Sequence, residues 1–321
     1  VLLGSSLRTV RAVAIGLAAS KVLGTNSGEV HSVFERTFNI LIDDELVGVA
    51  QSGVSRSPIN LIIEIPPSEN MHSLGLKKGM QVELVEGRIL VGGVLEISLE
   101  GAELWRPKTR VERCNRLDKI KRNLELAKRL AARKSESEGL GPLLGHVDEI
   151  ATGKMPQISE LNAVAKTVLP QLIYLTRAVR SGNTAEVKKV ARKLIGLGPG
   201  LSPSADDALS GFTAALWWVS HSLGSGISNV EDINRVIVSQ ASGTTLLSKQ
   251  LLQHAARGEV NERVEELLEA LLAGGQSEIE PGVEQVLKIG ETSGADMMVG
   301  LLLGMQMGLG QSSVKLKSID P

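Results

Sequence analysis

One change of rhythm constrains this chain more than any single motif. Before Trp105-Arg106-Pro107 the apolar residues come in short, often alternating runs rich in β-branched side chains. Val30–Ile42, Val47–Ser52, Asn60–Ile65, Gln81–Val85, Ile89–Val91 and Val94–Ser98 are the clearest. Breakers such as Asp43-Asp44, Pro66-Pro67, Gly79, Gly87 and Gly92-Gly93 separate them, and that alternation is the period of a strand. Short strands so closely spaced predict a small barrel or sandwich, with Leu74–Met80 as the turn leading into one of its strands. After Pro107 the period lengthens. Leu117, Ile120, Leu124, Ala127 and Leu130 recur at helical spacing with Lys and Arg between them, the mark of an amphipathic helix. Ser135–Gly141 is a polar break. Helices are then expected over about 160–181, 184–195, 204–223, 230–241, 244–257, 260–273, 281–290 and 294–308. The predicted fold is α+β, with a β-rich domain over 1–112 and an α-helical domain over 113–321. Arg8, Arg11 and Lys21 give the opening segment Val1–Leu23 a polar side, which predicts a leading helix.

Composition narrows the function. The chain has 321 residues, with 35 Lys+Arg against 36 Asp+Glu, a length that fits two domains. A formal net charge of −1 argues against a polyanion partner, which calls for a basic stripe. Only 3 Trp, 3 Phe and 1 Tyr leave little for stacking on nucleic-acid bases. The single cysteine, Cys114, lies in the charged run Arg110–Arg122. It excludes an internal disulfide framework and a multi-cysteine zinc site. The best apolar run, Met297–Leu309, spans 13 residues where a membrane helix needs about 20. No membrane association and a cytoplasmic location are therefore expected.

Three Gly/Ser/Asp segments carry the candidate chemistry. The first is Gly196-Leu197-Gly198-Pro199-Gly200-Leu201-Ser202-Pro203-Ser204-Ala205-Asp206-Asp207, which lies between two predicted helices. Glycine permits close ligand approach, and main-chain N–H groups at a helix start favour an anion. It also reads as a rigid connector whose Ser and Asp cap the next helix. The second, Ser293-Gly294-Ala295-Asp296, opens the apolar run from Met297 and is equally a capping-box variant. Ser204, Asp207 and Gly211 stand at offsets 0, +3 and +7, and so do Ser293, Asp296 and Gly300. Two similar helix starts are inferred, with Asp207 and Asp296 as partners. The third is Ser242-Gly243-Thr244-Thr245-Leu246-Leu247-Ser248, where Thr244 or Thr245 can cap the next helix. Ser248 faces the packed side, and its hydroxyl either bonds a carbonyl or faces a polar site.

The acids constrain the ligand. Asp206, Asp207 and Asp296 would repel a phosphate in one pocket and raise one another's pKa. Mg²⁺ could bridge them to phosphate, they could accept from a substrate NH₂, or they could only cap. Adjacent helical residues diverge by about 100°, so Asp206 and Asp207 cannot both aim at one point. His31, His72, His146, His221 and His254 show no zinc-ligand spacing, and no metal site is assigned. There is no Gly-x-Ser-x-Gly elbow and no Walker A lysine. His31, in Val30-His31-Ser32-Val33-Phe34, is the histidine of most interest.

Taken together, these segments resemble the AllH family. The resemblance rests on Gly196–Asp207, on Thr244–Ser248 with Ala255-Ala256-Arg257-Gly258, on Ser293–Asp296, and on Val30–Phe34 with Asn39. It runs from about residue 25 to residue 310. It implies a subunit of oxamate carbamoyltransferase, an enzyme of anaerobic allantoin breakdown that splits oxalurate with phosphate into oxamate and carbamoyl phosphate. It also implies partner subunits, including an acyl-CoA-synthetase-like one of the FdrA type. A separate carbamate kinase would use the product. Two positions depart from the family pattern: Ala205 stands where Gly is usual, and Glu291 where His is frequent.

The expected catalytic set is Asp207, Asp296, Ser248 and His31. The expected substrate- and anion-binding set is Gly198, Gly200, Ser202, Ser204, Asp206, Thr244, Thr245, Ser293 and Gly294. Carbamoyl transfer needs an anion cradle, donors for a tetrahedral oxyanion and acceptors for NH₂. The Gly loop and helix starts can supply the first two, and Asp207 and Asp296 the third. Two alternatives stand beside it. One is a non-catalytic subunit that holds a small anion or acts as a scaffold. The other is a Mg²⁺-dependent enzyme of another class acting on a phosphate ligand.

Overall fold

The computed structural model describes residues 7–24, 27–108, 113–114, 116–134, 137–223 and 229–317, with backbone alone for 311–317. The chain forms two compact units, Val1–Pro107 and Lys108–Pro321. The boundary expected after residue 112 and Arg110 of the charged run both lie outside the described residues, as do residues 1–6 of the opening segment.

The first unit is a barrel. Its strands are β1 (Arg8–Gly16), β2 (Gly28–Val33), β3 (Thr37–Ile42), β4 (Glu45–Gln51), β5 (Asn60–Ile63), β6 (Gln81–Val85), β7 (Arg88–Val91), β8 (Leu95–Ser98) and β9 (Glu103–Trp105). Neighbours run β5-β4-β3-β2-β6-β7-β8-β1, and β5 pairs back onto β1. Eight of the described strands therefore close on themselves, which removes exposed sheet edges. β1 is the closing piece. One of its edges pairs antiparallel with β5, and the other is shared in sequence by β8 and then β9, both parallel. Val10, Val30, Phe38, Ile40, Leu61, Ile63, Val82, Ile89 and Ile97 fill the interior. Each comes from an inward position of a period-two pattern.

The opening segment is a correction. A strand stands where a helix was expected, followed by the short α1 (Leu17–Val22). Val10 and Ala12 point into the barrel core while Arg11 and Val13 are exposed, and Ala14, past a register shift, packs with Ala50 and Ile62 in a separate cluster. Alanine favours helices, but closure of the barrel overrides a local propensity.

The second unit is helical. Its elements are α2 (Leu117–Arg133), α3 (Val147–Ala151), α4 (Ala163–Arg180), α5 (Thr184–Leu194), α6 (Ser204–Leu223), α7 (Val230–Val238), α8 (Leu246–Ala255), α9 (Glu262–Leu272), α10 (Gln276–Leu287) and α11 (Ser293–Lys317). α2 buries Ile120, Leu124, Ala127 and Leu130, the stripe expected of an amphipathic helix. α6 and α11 differ: Ser204 to Leu216 of the first and Gly294 to Met305 of the second are buried on every side. Helices apolar all round belong at the centre of a unit. No described helix is long and apolar enough to cross a membrane.

Candidate functional site

The site follows from how α6 and α11 meet. A Cβ added to Gly300 would lie 1.7 Å from the Ala208 carbonyl oxygen, and one added to Gly211 would lie 2.2 Å from that of Met297. Only glycine permits backbones this close. Farther along, Gly304 meets Phe212 and Gly308 meets Val219. Rising numbers on one helix meet rising numbers on the other, so the two run parallel and start side by side. The matched Ser-x-x-Asp-x-x-x-Gly spacing is thus one seam seen from both sides. Its glycines serve helix contact.

Three carboxyls are buried at this double start. Burying one is expensive unless it is partnered, so their partners show what each does. Asp206 is fully employed. The Gly196 N–H donates to its Oδ1 at 2.9 Å, and the Thr244 hydroxyl donates to its Oδ2. It ties the Gly loop to the segment before α8. Burial raises its pKa above the ordinary value, against the pull of Thr244, the Gly196 N–H and Ser248.

Asp207 and Asp296 are half-employed. The Ser202 hydroxyl donates to Asp207 Oδ1, while Oδ2 is buried without a hydrogen-bond partner. Burial, helped by the charges of Asp296 and Asp206, pushes Asp207 up to about 8 against the pull of Ser202 and Ser293. The Leu140 N–H donates to Asp296 Oδ1 at 2.5 Å, and its Oδ2 is likewise buried and unpartnered. Burial raises Asp296 too, opposed by the Leu140 N–H, Ser204 and Thr292. The serines cross over: Ser293 of α11 acts on Asp207 of α6, and Ser204 of α6 acts on Asp296 of α11.

The remaining expected residues fall into place around this pair. Gly198 and Gly200 are exposed in the loop, Ser202 and Ser293 are half-buried, and Ser204 is buried. Thr245 caps α8, accepting from the Ser248 N–H at 3.2 Å while donating to the Leu201 carbonyl at 2.6 Å. Ser248 is buried, with its hydroxyl 3.5 Å from that same carbonyl. Thr244, Thr245 and Ser248 therefore hold the loop in position. The Gly294 N–H donates to the Ile289 carbonyl at 2.8 Å, so it is not a free anion donor. At α6 the N–H groups of Ala205, Asp206 and Asp207 donate to the Leu197 and Pro203 carbonyls. Most of the anion cradle expected at these helix starts is thus spent on the protein itself.

His31 belongs to the first unit. It lies half-buried on β2, its Nδ1 3.2 Å from the Ser32 hydroxyl, which accepts from Asn39 at 2.9 Å. The acid pair is made by the helical unit alone. Among the described residues, no group of three or more His, Cys, Asp or Glu side chains is placed to hold a metal ion. A cavity of about 720 Å³ is lined by Trp218, Glu266, Glu269, Glu278 and neighbouring residues, none of them in the acid cluster.

Two contributors escaped the sequence reading. Gly139 has φ +53°, and a Cβ there would lie 2.5 Å from Asp296 Oδ1. It brings the Leu140 N–H onto the carboxylate. Asn162 caps α4 and donates to the Gly139 carbonyl at 2.8 Å. A signal was present: Gly139-Leu140-Gly141-Pro142 repeats Gly196-Leu197-Gly198-Pro199. Each string hands a main-chain N–H to a buried carboxylate at a helix start.

A barrel joined to a helical unit with two acid-bearing helix starts is the architecture against which the family comparisons stand. The AllH family N-terminal domain matches residues 11–104, which is the barrel, and oxamate carbamoyltransferase subunit AllH matches residues 194–305. The second match takes in all three Gly/Ser/Asp segments. The chain belongs to the AllH family. No solved structure matches it.

Proposed function

We propose that this chain is the AllH-type subunit of a carbamoyltransferase that converts oxalurate and phosphate to oxamate and carbamoyl phosphate. A phosphate oxygen attacks the carbamoyl carbon and the C–N bond to the oxamate nitrogen breaks. The proton lost by phosphate ends on that nitrogen. The observation that carries the reading is the pair Asp207 and Asp296, each with one buried oxygen lacking a partner, at the start of two parallel helices within the family match. Carboxyl oxygens suit the N–H-bearing end of oxalurate. Ser202 and Ser293 border the pair, Asp206 with Thr244, Thr245 and Ser248 positions the loop, and Gly198 and Gly200 are exposed in that loop.

Phosphate fits this cluster poorly, because acids repel it and most helix-start N–H groups are in use. That observation favours a division of labour. This chain holds the carbamoyl-bearing substrate, and a partner subunit, the FdrA-type one by family resemblance, supplies the phosphate site. Carbamoyl phosphate formation from oxalurate and phosphate, measured with this chain, the partner subunits and both, tests it. Product only from the combination is expected. Product from the partners alone would make this chain a scaffold, and product from no combination would end the oxamate reading.

A further inference from the structure

The two open acids differ in a way that favours a proton on one of them. Asp296 Oδ1 accepts from the Leu140 main-chain N–H at 2.5 Å, a group that can only donate. Asp206 likewise receives the Gly196 N–H. Asp207 is bonded by a hydroxyl, that of Ser202, and the other group acting on it besides its acidic neighbours is the Ser293 hydroxyl. A fixed N–H donor favours the charged form of the acid it faces, whereas a hydroxyl can turn and accept, so Asp207 is the easier of the two to protonate. The charge of Asp296 acts on Asp207, carboxylates that repel one another do not both ionise readily, and Asp207 is the one whose partners adapt to a proton. Asp207 is 3% exposed and Asp296 0% exposed, and the Oδ2 of each is buried with no partner. A buried polar atom without a partner marks a place for one.

We infer that Asp207 and Asp296 together form a recognition site for a primary amide or ureido group. Asp207, as the neutral acid, donates its Oδ2 proton to the ligand carbonyl oxygen. Asp296, as the carboxylate, accepts the ligand NH₂ on Oδ2. The pair then rejects a carboxylate or phosphate of the same size, which offers no N–H to Asp296. For the identity of the amide in the cell this rests on the transferase reading; the amide site itself does not.

The test is titration calorimetry on the full chain with oxamate and with oxalate, which puts a carboxylate where oxamate has its amide. Native protein binds oxamate at least about tenfold more tightly than oxalate, the scale of one unpaired buried polar group. Asp207→Asn keeps an N–H where the acid has O–H, and weakens oxamate about threefold. Asp207→Ala removes the donor and weakens it about tenfold. Asp296→Asn must keep its amide oxygen on the Leu140 N–H, so it turns NH₂ toward NH₂, and it weakens oxamate more than Asp207→Asn does. Melting curves confirm that each variant is folded. In infrared spectroscopy at neutral pH, protonated-carboxyl intensity beyond that of Glu265, which burial raises to about 7, is lost in Asp207→Asn and kept in Asp296→Asn. Equal binding of oxalate and oxamate, equal losses in the two Asn variants, or absence of that added intensity overturns the inference. If this pattern holds while no subunit combination makes carbamoyl phosphate, the transferase reading fails and the amide site stands. Turnover with the pattern reversed leaves the transferase and removes the amide site.

Discussion

The starts of α6 and α11 carry the same spacing of Ser, Asp and Gly, yet the chain treats their acids differently. Asp296 is held by a main-chain N–H that comes from 156 positions away. Asp207 is held by the Ser202 hydroxyl, five positions before it. The first arrangement favours a fixed carboxylate, and the second tolerates a proton. Two identical local patterns thus acquire different chemistry from what the tertiary fold lays against them. The glycines of the two patterns, by contrast, do the same work, since each lets the other helix approach.

Breaking the seam should have the largest effect, because it removes both starts at once. Gly300→Val drives a side chain into the Ala208 carbonyl, which a Cβ alone would meet at 1.7 Å. A loss of about 3 kcal/mol or failure to fold is expected in denaturant unfolding. Gly200→Ala, at φ +86° but with nothing within 4 Å, should lose only about 1 kcal/mol, the strain of that backbone conformation. Similar losses at the two positions would count against the packed seam.

A subtler difference between the two starts should emerge with pH. The folded pKa of Asp207, about 8, is raised above its ordinary 3.8. Between those values the native state keeps a proton that the unfolded chain gives up. The contribution of Asp207 to stability is therefore largest below about pH 4, falls as pH rises toward about 8, and levels beyond. Asp207→Asn has no such proton to hold. Its melting temperature relative to native protein should climb from pH 5 to pH 8 and then plateau. A pH-independent difference would mean that Asp207 is ionised throughout.

The smallest effects should come from the residues that only position. Thr245→Val removes the α8 cap and the bond to the Leu201 carbonyl, and should lower stability by about 1 kcal/mol. Asn162→Ala removes the α4 cap and frees the Gly139 carbonyl, a loss of similar size. It should also weaken oxamate binding, because it loosens the strand of chain that holds Asp296. A stability loss with unchanged binding would separate Asn162 from the site.

Much of this was legible in the sequence, and each exception has its own physical reason. The runs from Val47 to Ser98 gave their strands to within about two residues because each is short, apolar and bounded by breakers. Val30–Ile42 proved to be two strands, β2 and β3, folded into a hairpin between Val33 and Thr37. β1 was misread because its pattern is written in alanines, which carry little hydrophobic contrast. The segment Gly141–Ala151, a 3₁₀ turn followed by α3, is too short for its period to show. Asp207 and Asp296 were found through their spacing. Gly139, Leu140 and Asn162 were not, because their contribution is main-chain geometry across a long sequence separation, and a side-chain pattern does not record that.

The most direct test of the account is the rate of carbamoyl phosphate formation from oxalurate and phosphate by the reconstituted complex, with native chain against Asp296→Asn. The native complex should turn over, and the variant, equally folded and assembled, should be slower by about tenfold or more, the scale of one misplaced buried polar contact. An unchanged rate would contradict the claim that the paired helix starts receive the carbamoyl-bearing substrate.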